Sequence, residues 1–301
     1  MVEKRNKILT NGIGENGVFF KSHPLLNFVY FAVIIGVTMF SNHPVILITS
    51  FITGWFYSVL LNGKKAMRFN ITLLLPVILI TVLINALNVH NGVTVLFYLN
   101  DNRITLEAII FGVVQGIMLS SVMIWFTCFN TVVTEDKFIY LFGRIAPVIA
   151  LTLSMIIRFI PLLKNRFLEV SAAQRCMGRR KDGRNITYRI RQFGKEVSIL
   201  IAWSLEASIE SADSMEARGY GLHGRTSFHL FKITGKEFRI LLLMLFLSVI
   251  CVIACVMDYT NIYYYPAILL PPLSFMQSVS FAAFCILMLL AVIMDIRGIR
   301  Q

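Results

Sequence analysis

The sequence predicts an all-α integral membrane protein, with about six transmembrane helices and a cytoplasmic pair of long helices. Three observations carry that class. Hydrophobic residues make up 57% of the 301 positions and charged residues only 15%, with a mean hydropathy of +0.73. Soluble domains run at roughly 45–50% apolar and about 25% charged, so an ordinary soluble, fibrous or disordered chain is excluded. Long apolar runs recur along the chain. The charges are one-sided: 28 Lys and Arg stand against 16 acids, and their placement follows a membrane topology.

The first 23 residues are polar, with Lys4, Arg5 and Lys7 but no apolar stretch close behind, which is not the pattern of a cleavable signal peptide. Apolar runs follow at Leu25–Phe40, Val45–Leu61, Ile71–Leu87, Ile104–Phe129, Val148–Leu163, Ile240–Met257 and Val279–Met294. A helix crossing a hydrocarbon core of roughly 30 Å needs about 20 apolar residues, with about 17–25 tolerated. The Ser41–Pro44 break marks a tight helical hairpin. The run at Val148–Leu163 contains Arg158, ends at Pro161 and follows a mixed stretch with Glu135, Asp136, Lys137 and Arg144.

Orientation separates that run from the others, because short cytoplasmic loops collect Lys and Arg. With a cytoplasmic N-terminus and four spans before residue 130, 27 of the 28 basic residues fall inside and Arg103 alone falls outside. A full span at Val148–Leu163 would move the cluster Lys164–Lys236 outside. The sequence therefore predicts six true spans, and a fifth apolar segment that dips in or lies at the cytoplasmic boundary. Asp258 and the tyrosines Tyr263, Tyr264 and Tyr265 belong at the outer interface. The expected organisation is a transmembrane region over 1–130, a cytoplasmic or interfacial region over 131–237 and a transmembrane hairpin over 238–301. Five cysteines, four of them in apolar runs, read as reduced packing thiols.

The region 131–237 is the informative one. From Lys164 to Lys195 it holds ten basic residues and two acids, Glu169 and Asp182. Leu162–Met177 reads as a helix, Gly178–Asn185 as a break and turn. A second helix follows, in which Val197, Ile201, Leu205, Ser208, Ala212 and Met215 recur at helical spacing. It ends at Ala217-Arg218-Gly219, where Gly219 suits a left-handed C′ cap and Arg218 suits the negative end of the helix dipole. A polybasic hairpin lying on anionic lipid explains the charge. It does not explain the small residues Ala207, Ser208, Ser211 and Ala212, which let two helices approach closely, nor two glycine-marked basic helix ends about 40 residues apart.

Here the chain resembles a family. The segments Ile157-Arg158-Phe159-Ile160-Pro161, Ala173-Gln174-Arg175-Cys176-Met177-Gly178 and Ser214-Met215-Glu216-Ala217-Arg218-Gly219-Tyr220 are similar to the transmembrane T component of energy-coupling factor (ECF) type ABC importers, a cobalt-transport-permease-like family. The likeness extends to His43-Pro44, to Gly92-Val93-Thr94-Val95-Leu96-Phe97, to Thr105-Leu106-Glu107-Ala108 and to Asp136 through Arg144. It implies a non-catalytic scaffold in a prokaryotic plasma membrane, both termini cytoplasmic, coupling ATP hydrolysis to uptake of a vitamin or metal ion. The implied partners are two ABC ATPase subunits, identical or different, a substrate-binding S component and the lipid bilayer, with no nucleic acid and no cofactor. Two crossing coupling helices each end in an Ala-Arg-Gly-like motif that docks on an ATPase. Arg218, Ala217 and Gly219 match the second motif. At the first, Cys176-Met177-Gly178 puts Met177 in place of the arginine, and Arg175, Arg179 or Arg180 lies within one turn. Ala207, Ser208, Ser211 and Ala212 are the expected packing residues of the crossing.

The chain has no Gly-x4-Gly-Lys-Ser/Thr phosphate loop, so ATP would be bound by a partner. His223 and His229 are too loosely spaced for a metal pair, and Cys251 with Cys255 has no third ligand nearby. Glu107 reads first as a first-turn carboxylate favoured by the helix dipole, with a functional role as the sharper alternative. A second function class is a membrane-embedded enzyme acting on a lipid or isoprenoid phosphate, held by the basic loops. That class calls for clustered carboxylates or histidines, and the acids of 131–237 are scattered along helix surfaces. A self-sufficient secondary transporter would show internal repeats, and no convincing repeat is found.

Overall fold

The computed structural model describes residue 14 and residues 17–89, 92–99, 102–143, 146–178, 186–222, 231, 233–265 and 274–300. The chain falls into two compact units, one of Met1–Phe138 with Phe231–Gln301, the other of Ile139–Leu230. The second unit is thus an insertion in the first.

In the first unit a short turn of helix, α1 (Val18–Lys21), leads into α2 (Pro24–Phe40) and α3 (Pro44–Asn88). The two long helices begin alike. His23 and His43 are N-caps whose Nδ1 accepts the N–H of Leu25 and of Val45, each at 3.3 Å. Proline follows at the first helical position, where its missing N–H costs nothing. Burial pushes both imidazoles below the usual histidine range, which keeps that nitrogen free to accept.

Within α3 the chain reverses at Gly63, whose φ of 62° is open to glycine at little cost. Asn70 Nδ2 donates to Ser58 Oγ at 3.3 Å, whereas residues twelve apart on a straight helix are about 18 Å apart. Two of the expected spans, Val45–Leu61 and Ile71–Leu87, are therefore the two arms of one hairpin, with Lys64, Lys65 and Arg68 exposed at its bend. Both arms pack on α4 (Leu106–Val132), in opposite directions. Leu47 clusters with Val114 and Gly54 lies against Trp125, while Ile78 and Val82 lie against Gly116 and Gly112. A Cβ on Gly112 would stand 2.9 Å from Val82 Cα, so this Gly-x3-Gly pair brings two backbones into contact.

Before α4 stands a hairpin that the sequence had not suggested. Strands β1 (Val95–Leu99) and β2 (Asn102–Thr105) pair antiparallel, so the helix starts at Leu106 rather than within the apolar run at Ile104. The run Val-Leu-Phe-Tyr-Leu favours a pleated surface. Glu107, buried in the first turn of α4, accepts the Thr94 N–H at 3.1 Å and the Thr94 hydroxyl, closing the hairpin onto the helix.

Helix α5 (Glu135–Gly143) leads out of the first unit, and α8 (Gly235–Val256) and α9 (Phe275–Arg300) complete it. Its core is aromatic: Phe19, Tyr30, Phe31 and Trp125 meet edge-on at centroid distances of 5.0–6.3 Å. Among the described residues five helices are long and apolar enough to cross a membrane, and Pro24–Phe40 is a shorter apolar helix.

The second unit is built on α6 (Pro147–Cys176) and α7 (Ile186–Ala217). Val148–Leu163 and the expected helix from Leu162 prove to be one continuous α6, and Pro161 does not end it. One proline removes a single backbone bond and crowds the preceding turn, and the residues on both sides carry the helix through. By length and hydropathy α6 is one of the five candidate spans.

Candidate functional site

Both long helices of the second unit end at a left-handed glycine. At the end of α7, Gly219 is left-handed at φ 80°. Its N–H bonds Glu216 O at 2.9 Å, and the Tyr220 N–H reaches back to Met215 O at 3.0 Å. These are the two bonds of the Schellman cap, which satisfies carbonyls otherwise orphaned at a helix end. At the end of α6, Gly178 is left-handed at φ 67° and its N–H bonds Arg175 O at 2.9 Å. Glycine is required at both because an L side chain in this region costs about 1–2 kcal/mol. At Gly219 the cap turns the chain out of the helical path, and at both ends the last helical turn is exposed.

The side chains at these ends are open to solvent: Arg175 and Met177 on the first, Ala217 and Arg218 on the second. Among the described residues no carboxylate lies within ion-pair range of the Arg218 guanidinium. Arg179 and Arg180, and the expected turn through Asn185, lie outside the described residues, as do His223 and His229.

The contact between α6 and α7 is not where the apolar stripe placed it. Gln192 Nε2 donates to Gln174 Oε1 at 3.2 Å in a buried setting, Phe167 meets Phe193 edge-on at 5.8 Å, and Arg166 lies 5.0 Å over the Trp203 ring. Ser171 and Glu196 are buried beside them. On α7 the seam is thus Gln192, Glu196 and Trp203, with Ala207 and Ser211 half-buried on the same broad face. Ser208 and Ala212 are exposed on the other side, together with Ile201 and Leu205 at 54% and 62% exposure. Of the four expected packing residues, two lie on the seam's face and two do not. The periodicity marked a face that α6 does not cover and that is exposed in this chain.

This seam makes the two ends unequal. Met177 lies three residues beyond Gln174, close to the contact. Arg218 lies about 22 residues beyond Glu196, and so about 33 Å along the helix at 1.5 Å per residue. The unit therefore offers two similarly capped basic tips, one near the crossing and one on a long arm.

Sequence reasoning missed four structural residues, Gly112, Gly116, Lys137 and Asp295. The Gly112-x3-Gly116 spacing marks a close helix contact. Lys137 directly follows Glu135 and Asp136, and Asp295 stands two residues before Arg297 at the end of the last apolar run, so neither announces its burial. Lys137 is 4% exposed and its ammonium donates to the carbonyls of Phe20 and Val132; burial pushes it down to about 8. Asp295, 1% exposed, accepts the Phe19 N–H.

A family model described as cobalt transport protein (CbiQ) matches residues 17–230, a range that holds both capped helix ends. No curated protein matches the chain.

Proposed function

The chain belongs to the cobalt transport protein (CbiQ) family, the family of ECF T components, and from that premise we propose that it is the non-catalytic transmembrane scaffold of an ECF-type ABC importer. Two partner ATPases, identical or different, bind and hydrolyse ATP. A separate membrane subunit binds the cargo, a vitamin or a metal ion. The scaffold sits in a prokaryotic plasma membrane with both termini in the cytoplasm, as the concentration of Lys and Arg on one side supports. Residues 1–130 and 238–301 span the membrane and 131–237 couples them to the ATPases.

The observation that carries this reading is the pair of exposed helix ends in one unit, both ending at a left-handed glycine. Such an end is a stiff plug with few ways to deform. Arg218 presents a planar fork of donors that suits bidentate capture of a carboxylate in an ATPase groove. Gly219 and Ala217 keep the turn around it small. The first plug differs in kind: Met177, 55% exposed, offers a flexible apolar knob, with Arg175 and Arg179 supplying the charge. When the ATPases close and reopen, they displace these ends, and the crossing at Gln174 and Gln192 converts the displacement into tilting of the substrate-binding subunit. The exposed stripe of Ile201, Leu205, Ser208 and Ala212 faces away from α6 and is apolar and small enough to pack against that subunit.

The test is Arg218→Glu in the chain co-expressed with its ATPases. Reversing one end of a charge-assisted pair removes roughly 1.5–3 kcal/mol, so the expected result is a tenfold or greater loss of co-purified ATPase, with ATP-driven uptake falling alongside. ATPase recovery and uptake both at wild-type level refute the assignment.

A further inference from the structure

Residues 17–23 cross the first unit in a way that the transport reading leaves unexplained. The Phe19 N–H donates to Asp295 Oδ1 at 2.8 Å, and Tyr57 Oη donates to the other carboxylate oxygen at 3.2 Å. Gly17 passes so close that a Cβ there would stand 2.9 Å from Asp295 Oδ1. The Phe19 ring is fully buried between Tyr30 and Phe31. The Phe20 carbonyl accepts from the Lys137 ammonium, which also donates to Val132 O at 2.9 Å and lies 4.2 Å over the Phe20 ring. The His23 N–H donates to Glu237 Oε1 at 3.1 Å, while Glu237 Oε2 closes the capping box of α8 on the Thr234 N–H at 2.9 Å.

The partners of this short segment have one thing in common. Lys137 precedes the point at which the chain leaves the first unit, after Phe138; Glu237 follows the point at which it returns, at Phe231. Asp295 lies near the end of the last helix. We propose that residues 17–23 are a static clasp that bolts both roots of the 139–230 unit to the C-terminal helix, and that Lys137, Glu237 and Asp295 are its positioning residues. The proposal rests on the transport reading above. A displacement imposed at Met177 or Arg218 enters the spans through those two roots. Roots held by charged groups in buried or half-buried hydrogen bonds, which are roughly twice as strong as neutral ones, pass that displacement on instead of yielding locally.

The experiment is hydrogen exchange on the full chain in complex with its ATPases, with and without ATP plus vanadate, in wild type and in Lys137→Met, Glu237→Gln and Asp295→Asn. In the wild type, trapping is expected to change exchange at residues 214–220 and in the spans of the first unit, while 17–23 stays equally protected in both states. In each variant the response at 214–220 is retained and the response in the spans falls at least tenfold. Asp295→Asn also speeds exchange of the Phe19 amide at least tenfold. A span response that survives in the variants, a wild type whose tips respond but whose spans do not, or protection of 17–23 that changes on trapping overturns the clasp. Loss of the complex in all three variants marks a merely structural role and overturns it too. A wild type with no response at 214–220 refutes the transport reading itself, so the two failures are distinguishable.

Discussion

Glycine-to-alanine substitution has opposite expected signs at two positions of the same helix. Gly219 is left-handed at φ 80°, and a Cβ there would also stand 3.0 Å from Leu222 Cδ1. That methyl is the far end of an exposed side chain and swings aside, so the cost of Gly219→Ala is the backbone strain, about 1–2 kcal/mol. Gly194 lies inside α7, and its Cβ would meet nothing within 4 Å. There alanine removes the entropy cost of glycine and stabilises the helix by about 0.8–1.0 kcal/mol. The strain at 219 falls on a local equilibrium, the closing of the last turn. One to two kcal/mol changes that equilibrium by a factor of about 5–30. Hydrogen exchange resolved at the amides of residues 219 and 220, which bond Glu216 O and Met215 O, should speed by that factor in Gly219→Ala. In Gly194→Ala the amides of the surrounding turns should slow about fourfold to fivefold. ATPase recovery should fall with the first substitution and hold with the second. Equal signs at the two positions, or unchanged exchange at 219 and 220, would refute the reasoning.

Gly112→Val places side-chain atoms where Val82 Cα already stands, at 2.9 Å from the new Cβ; the expected cost is about 1–3 kcal/mol for an overpacked contact, read as a lowered midpoint of thermal unfolding in detergent. A pH effect attaches to Lys137, which burial pushes down to about 8 from an ordinary value near 10.5. Between those values the unfolded chain binds the proton and the folded one does not, so stability rises with pH across that window. Urea unfolding midpoints from pH 7.5 to 10.5 should show this rise in wild type and a flatter course in Lys137→Met, and parallel curves would contradict it.

How much of this was legible in the sequence depends on the range of the interaction. The left-handed end at Gly219 and the break at Gly178 are decided within six residues, by one glycine and the carbonyls before it, and both are legible in the chain alone, the second as a break and turn only. The two His-Pro starts came only with the structure, since in the sequence Ser41–Pro44 marks a break between apolar runs and no more. The bend at Gly63 needed more, because two apolar runs separated by Lys64, Lys65 and Arg68 announce a turn without saying what each arm packs against. The β1–β2 hairpin was hidden inside a stretch read only for its hydrophobicity. Neither Lys137 nor Asp295 announces its burial in the sequence, because their hydrogen bonds link residues more than a hundred positions apart.

The sequence by itself determined that this is a helical membrane protein with a basic inserted pair of helices and a glycine at each tip. Composition and periodicity are enough for that, since they report which residues must leave water. They do not report what covers them. On α7 the apolar stripe of Ile201 and Leu205 is exposed and the seam is formed by buried Gln192 and Glu196 with half-buried Trp203. A polar seam sealed by a Gln–Gln hydrogen bond has no periodic signature, because its stability comes from pairing across two helices. Which face of the long arm belongs to the chain itself, and which is left for something else to bury, was decided only by the tertiary structure.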